Sequence, residues 1–273
     1  MLAPGGPAGP PDGEGDEPAR DERPHLVLLH GVGDSGRFWD NLLPALRADY
    51  RVHAVDLPGH GPAATSLSEE DATPAAMAGV VVRDLAGAGV ANPYLVGFSL
   101  GGWVALEMAA AGYGRSVVAL APAGLWAVPP MSSPRPGRRL TAAALRALEP
   151  VLGLVGRWPA LARLAVRGIV ADPSKVSVEQ LTGAARDRRA AKGADAARRA
   201  VFSSRFTGGD RITVPVCVAF GDDDRYVGVG ASRAALPPAA RWVTVPHCGH
   251  AMSWDQPAAC LELIAETSAL ASA

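Results

Sequence analysis

Cysteine is scarce in this chain of 273 residues: three, at Cys217, Cys248 and Cys260. So few, so unevenly spaced, form no disulfide framework and no C-x-x-C pair, which points to a reducing, cytoplasmic compartment. Long apolar runs are missing too. No stretch approaches the ~20 apolar residues that a membrane span needs. Met1 to Arg23 is rich in Pro, Gly, Asp and Glu and has no apolar core segment, so no secretory signal is read there. Its six acidic residues between Asp12 and Glu22 suit a disordered tail, 1–23, with no fold of its own. The net charge of −1 gives the whole molecule no general attraction to nucleic acid or to a membrane surface. No internal repeat is visible.

What is present is apolar substance, 48% of residues, enough for one large domain or a domain with an insert. The chain is organised around Tyr94-Leu95-Val96-Gly97-Phe98-Ser99-Leu100-Gly101-Gly102. A strand ends at Phe98, Gly97 to Gly101 reads G-x-S-x-G, and good helix formers follow from Trp103 to Ala110. Strand, sharp turn and helix are the setting of a nucleophile elbow. Such a turn strains its central residue, so the positions two before and two after must be small. Ser99 then stands at a helix N-terminus, where negative charge is favoured. The plainer reading is a helix-capping serine, so the rest of the chain must supply an oxyanion donor, an acid and a histidine.

Strands are expected at Pro24 to Leu29, Tyr50 to Val55, residues 94–98, Ser116 to Leu120, Val214 to Phe220 and Arg241 to Val245. Helices are expected at Phe38 to Leu46, Thr73 to Ala88, after the elbow, and at Pro257 to Leu270. The alternation predicts an α/β fold with a doubly wound, mostly parallel sheet. From about Trp126 the character changes. Residues 126–210 carry 15 Lys and Arg against 6 Asp and Glu, with helical stretches at Leu140 to Gly153, Pro159 to Gly168, Val178 to Ala191 and Ala194 to Phe202. No strand is expected there, which predicts a helical insert. Its basic character reads first as a solvated helical face. Attraction of anionic substrates, or contact with the acidic tail, are the alternatives.

Five motifs then line up: His30-Gly31, Asp56-Leu57-Pro58-Gly59-His60-Gly61, the elbow, Gly221-Asp222-Asp223-Asp224, and Gly249-His250. Together they resemble the α/β-hydrolase family in its capped form, over residues 24–125 and 211–270. The resemblance implies a core of 24–125 and 211–273, a cap of 126–210, no cofactor, and a small-molecule substrate, with no nucleic acid or membrane partner. It also implies a triad in the chain order Ser99, Asp224, His250. In that chemistry a neutral imidazole takes the serine proton during attack and returns it to the leaving group, and a buried carboxylate fixes the imidazole tautomer. The N–H of Leu100, the residue after the serine, supplies one oxyanion donor, and by resemblance Val32 supplies the other. Asp222 and Asp223 are expected to be solvated, the family spacing G-x-x-D selecting Asp224.

The remaining motif residues have quieter expected roles. His247, Cys248 and His250 lie close together but lack a further ligand, so no metal is expected. His30 is expected to hydrogen-bond beneath the oxyanion loop, His60 to brace its glycine turn, and Asp34-Ser35 to cap the following helix. A substrate pocket lined by Val32, Trp103, Leu125, Trp126, Tyr226 and Met252 is expected, with Trp158 or Phe206 added from the cap. Relatives that open epoxides or remove halogens use Asp where this chain has Ser99, so the resemblance favours hydrolysis of a carboxylic ester or similar acyl bond. Cleavage of a carbon–carbon bond in a ring-cleavage product, or ligand binding without catalysis, are the competing readings.

Overall fold

The computed structural model describes residues 21–62, 64–130, 166–228 and 230–272. Residues 1–20 of the expected tail, the expected helix at 140–153, residues 159–165 of the helix expected at 159–168, and Trp158 lie outside these residues.

An apolar run without alternation cannot leave either face of a strand in water. That governs the middle of the sheet. β1 (His25–Leu29), β3 (Tyr94–Phe98), β4 (Ser116–Leu120) and β5 (Val216–Gly221) are buried along their length, His25 excepted. β2 (Arg51–Val55) and β6 (Arg241–Val245) are partly exposed and form the two edges. The order is β2-β1-β3-β4-β5-β6 and every pairing is parallel. From β1 the chain steps outward to β2, then returns to place β3 on the other side. Crevices at such switch points open beyond the carboxyl ends of the strands. The register sets Leu29 beside Gly97 and Gly221 beside Val245, so the loops after β1 and β3 emerge together, as do those after β5 and β6.

Helices cover the sheet. α1 is Leu43–Asp49 and α2 is Pro74–Gly87, the latter capped by Thr73, whose hydroxyl accepts from Ala76 N at 3.3 Å. α3 (Leu100–Ala110) is buried nearly all round, as its uniformly apolar sequence requires. The helix expected at 38–46 is instead a 3₁₀ turn, Gly36–Trp39, followed by α1. Pro44 has no N–H to continue a helix from residue 40 and its ring clashes with the preceding turn, so it starts a new helix. The expected start of β5 at Val214 moves to Val216, because Pro215 cannot donate to the ladder.

Between β4 and β5 the described residues hold helices and no strand. α4 (Val178–Ala190) begins with a capping box of Ser177 and Gln180, and α5 (Ala194–Ser203) follows. A short α6 (Met252–Asp255) leads into α7 (Pro257–Leu270). The three cysteines are all reduced and buried. Among the described residues no helix is long and apolar enough to cross a membrane.

Candidate active site

Ser99 joins β3 to α3 at φ 53°, ψ −113°, a conformation that a non-glycine residue adopts only under constraint. The constraint is visible in its backbone. Ser99 N donates to Leu120 O at 3.0 Å, and its carbonyl accepts from Ala123 N at 3.0 Å and Trp103 N at 3.2 Å. Its small neighbours are dictated by contact. A Cβ on Gly97 would lie 2.1 Å from Gly101 O, and one on Gly101 would lie 2.2 Å from Leu29 O. The elbow therefore fits only because both positions are glycine.

The loops after β5 and β6 bring two further side chains to it. His250 Nε2 lies 3.1 Å from Ser99 Oγ, and His250 Nδ1 lies 3.0 Å from Asp224 Oδ2. An ionised carboxylate only accepts, so Nδ1 carries the proton and Nε2 is left to accept from the serine hydroxyl. Asp224 is 4% exposed, and burial alone would raise its carboxyl. The hydrogen bond and charge of His250, with the N–H groups of Val227 at 3.1 Å and Tyr226 at 2.8 Å, hold it below the ordinary value instead. The imidazole is enclosed by rings: Tyr226 stacks on it at 5.4 Å, and Phe98, itself stacked on Phe38 at 4.4 Å, lies 4.9 Å away.

The other two acids of the row have separate partners. Asp222 Oδ1 accepts from Cys248 N at 3.1 Å, bracing the histidine loop, and Asp223 pairs with Arg225 at 2.8 Å. Asp222 is exposed but is not merely solvated: its carboxyl is lowered by the N–H groups of Cys248 and His247.

The N–H groups of Val32 and Leu100 donate to no acceptor among the described residues. Below them His30 is buried, its Nδ1 donating to Gly31 O at 2.8 Å and its Nε2 accepting from Leu57 N at 3.0 Å. Burial, then the neighbouring His60, push the His30 imidazole down to about 3, so it is a neutral bracket between two loops. His60 Nδ1 donates to Pro58 O at 2.9 Å within its own turn. Ser35 caps the 3₁₀ turn by accepting from Arg37 N at 3.3 Å. Asp34 does not cap. Its carboxylate folds back over Gly31, where burial raises it to about 7 against the lowering pull of Arg188.

α4 docks on this loop. Buried Asp187 accepts from Ser35 Oγ at 2.6 Å and from the Arg37 guanidinium, and Arg188 Nη1 reaches Val32 O at 3.4 Å. Of the expected pocket residues, Tyr226 is 38% exposed and Val32 is half-buried, whereas Trp103, Leu125, Trp126, Met252 and Phe206 are buried. Trp103 donates to Glu107 at 2.9 Å and meets Trp126 edge-on at 6.2 Å. Trp126 in turn stacks on Phe202 of α5 at 5.7 Å. Besides Asp187, a second buried carboxylate escaped the sequence reading. Asp255 accepts from the backbone of Gly249, Ala171 and Asp172. Two of those donors lie more than 80 positions away, so no local pattern announces it. Among the described residues no group of three His, Cys, Asp or Glu could hold a metal ion.

A parallel sheet with a strained serine after its third strand, faced by a histidine from a later loop, defines a hydrolase of the α/β type. The chain belongs to the alpha/beta hydrolase family, whose model matches residues 26–263. Among curated proteins it is 42% identical over 82 residues to the pimeloyl-[acyl-carrier protein] methyl ester esterase of Aeromonas hydrophila, a match covering 30% of each chain. It is 45% identical over 82 residues to the protein of that name from Vibrio parahaemolyticus, covering 30% of this chain and 29% of that one. These matches thus take in under a third of the relatives' length. Among solved structures, a hydrolase from Pseudomonas aeruginosa superposes with a TM-score of 0.68 at 25% identity over 91% of both chains. A carboxylesterase from Bacillus subtilis does so with a TM-score of 0.68 at 23% identity, over 91% of this chain and 84% of that one, which speaks to the fold.

Proposed function

We propose that this chain is a cofactor-free serine hydrolase of carboxylic esters of small apolar molecules, working through an acyl-enzyme on Ser99. The reading is carried by the line from Ser99 Oγ through His250 Nε2 and Nδ1 to Asp224, with separations of 3.1 Å and 3.0 Å. His250 takes the serine proton as Oγ attacks the ester carbonyl. Asp224 keeps the Nδ1–H tautomer and stabilises the imidazolium that forms. The N–H groups of Leu100 and Val32 receive the charge on the tetrahedral oxygen. His250 then protonates the departing alcohol, and a water activated by the same nitrogen releases the acid. The described part of the proposed cap, with α4 and α5, belongs to the covering of this centre, and Tyr226, stacked on the imidazole, lines the approach. The esterase names of the partial relatives support an ester as the bond cleaved.

A fluorophosphonate probe tests the nucleophile. Wild type should be labelled and Ser99→Ala should not, with kcat on p-nitrophenyl esters falling by about 10⁶. No labelling of either protein would mark a ligand-binding member of the fold. Turnover of a dienoic diketone, with none of any ester, would replace ester cleavage by carbon–carbon bond hydrolysis.

A further inference from the structure

The main chain of His250 is held on both sides by groups that the proposed triad does not include. On one side Gly249 N donates to Asp255 Oδ2 at 2.8 Å. On the other, Ala251 N donates to Ile169 O at 2.9 Å. Asp255 is 2% exposed, and the same carboxylate accepts from Ala171 N at 2.8 Å and Asp172 N at 3.2 Å. Lys175 Nζ reaches the Asp255 carbonyl at 3.2 Å. Residues 169–172 lie within the segment between β4 and β5, ahead of α4. They are laid against the histidine loop so closely that a Cβ on Gly249 would lie 2.8 Å from both Ala171 N and Ile169 O.

A carboxylate that gathers three backbone donors fixes the relative position of the segments that supply them. We propose that Asp255 is a positioning residue. By seating Gly249 and Ala171–Asp172 on one carboxylate, it sets the reach of His250 Nε2 to Ser99 Oγ and makes this stretch ahead of α4 part of the histidine's mount. The proposal rests on His250 being the base. Asparagine keeps the shape of Asp255 but turns an amide NH₂ toward backbone donors, and alanine removes every acceptor.

The test compares wild type, Asp255→Asn, Asp255→Ala, Gly249→Ala and Thr267→Ala. The last is a control within α7 whose hydroxyl donates to Leu263 O at 2.7 Å and meets the Cys217 thiol. Phosphonate labelling of Ser99 and steady-state rates on p-nitrophenyl butyrate are read beside the melting temperature. A misplacement of about 1 Å costs on the order of 100-fold. Asp255→Asn should therefore lose about 10- to 100-fold in kcat with KM little changed, and Asp255→Ala should lose more. Gly249→Ala, which wedges the same seam, should follow them, while Thr267→Ala melts earlier yet keeps its kcat. Wild-type kcat in folded Asp255→Asn and Gly249→Ala would overturn the proposal, as would a loss in Thr267→Ala equal to theirs. If the Asp255 variants do not fold, Gly249→Ala decides. A wild type that takes no phosphonate label removes the base and its mount together, whereas a labelled wild type with unaffected variants removes the mount alone.

Discussion

Three aspartates in a row differ only in what each can reach. Asp222 braces Cys248 N, Asp223 meets Arg225, and Asp224 alone lies on the imidazole. Asp224→Asn should lower kcat by about 10⁴, because the amide no longer enforces the Nδ1–H tautomer. Asp223→Asn should stay near wild type in the same p-nitrophenyl ester assay, and equal losses would reassign the acid. Ser99, Asp224 and His250 were legible because each sits in a short motif whose spacing follows from a strand end. Asp255 was not, since its role is defined by donors at 171, 172 and 249 that only the fold brings together.

Elements were legible wherever periodicity and punctuation agreed. Residues 94–98, 116–120, 241–245 and 257–270 fall where the apolar runs and Pro257 put them. The expected helix through 38–46 failed because apolar spacing outvoted Pro44, and α6 has only four residues, too few to show a period. What α4 does was also hidden, since Asp187 meets Ser35 across 152 positions. Asp187→Ala should strand the buried Ser35 hydroxyl and the Arg37 guanidinium, at about 1–3 kcal/mol. The expected outcome is a lower urea midpoint together with slower phosphonate labelling of Ser99, because the same loop carries Val32. A shifted midpoint with unchanged labelling would separate α4 from the oxyanion loop.

At the scale of the whole molecule, two groups of opposite sense contribute to the response to acid. His30 has a folded value of about 3 against 6.5 when unfolded, so the unfolded chain takes up a proton that the fold refuses. Stability from this group is full above pH 6.5 and drains by about 1.4 kcal/mol per unit as pH falls toward 3. Asp34 stays protonated up to about 7 in the fold but ionises at 3.8 when unfolded. Its contribution is full below 3.8 and drains at the same rate as pH rises toward 7. The two slopes oppose each other between pH 3.8 and 6.5. His30→Gln should therefore gain stability on going from about pH 6.5 to about pH 4.5, and Asp34→Asn should lose it, by roughly 3 kcal/mol each in urea titrations. Parallel behaviour of the two variants would contradict this account. The thiols bear on how the molecule can be handled. Cys217, Cys248 and Cys260 are buried, and burial raises all three, Cys248 to about 12. The native fold thus shields its own sulfur from maleimide, and one cysteine introduced on the surface would give a single attachment point for a dye or a solid support with the natural three left in place.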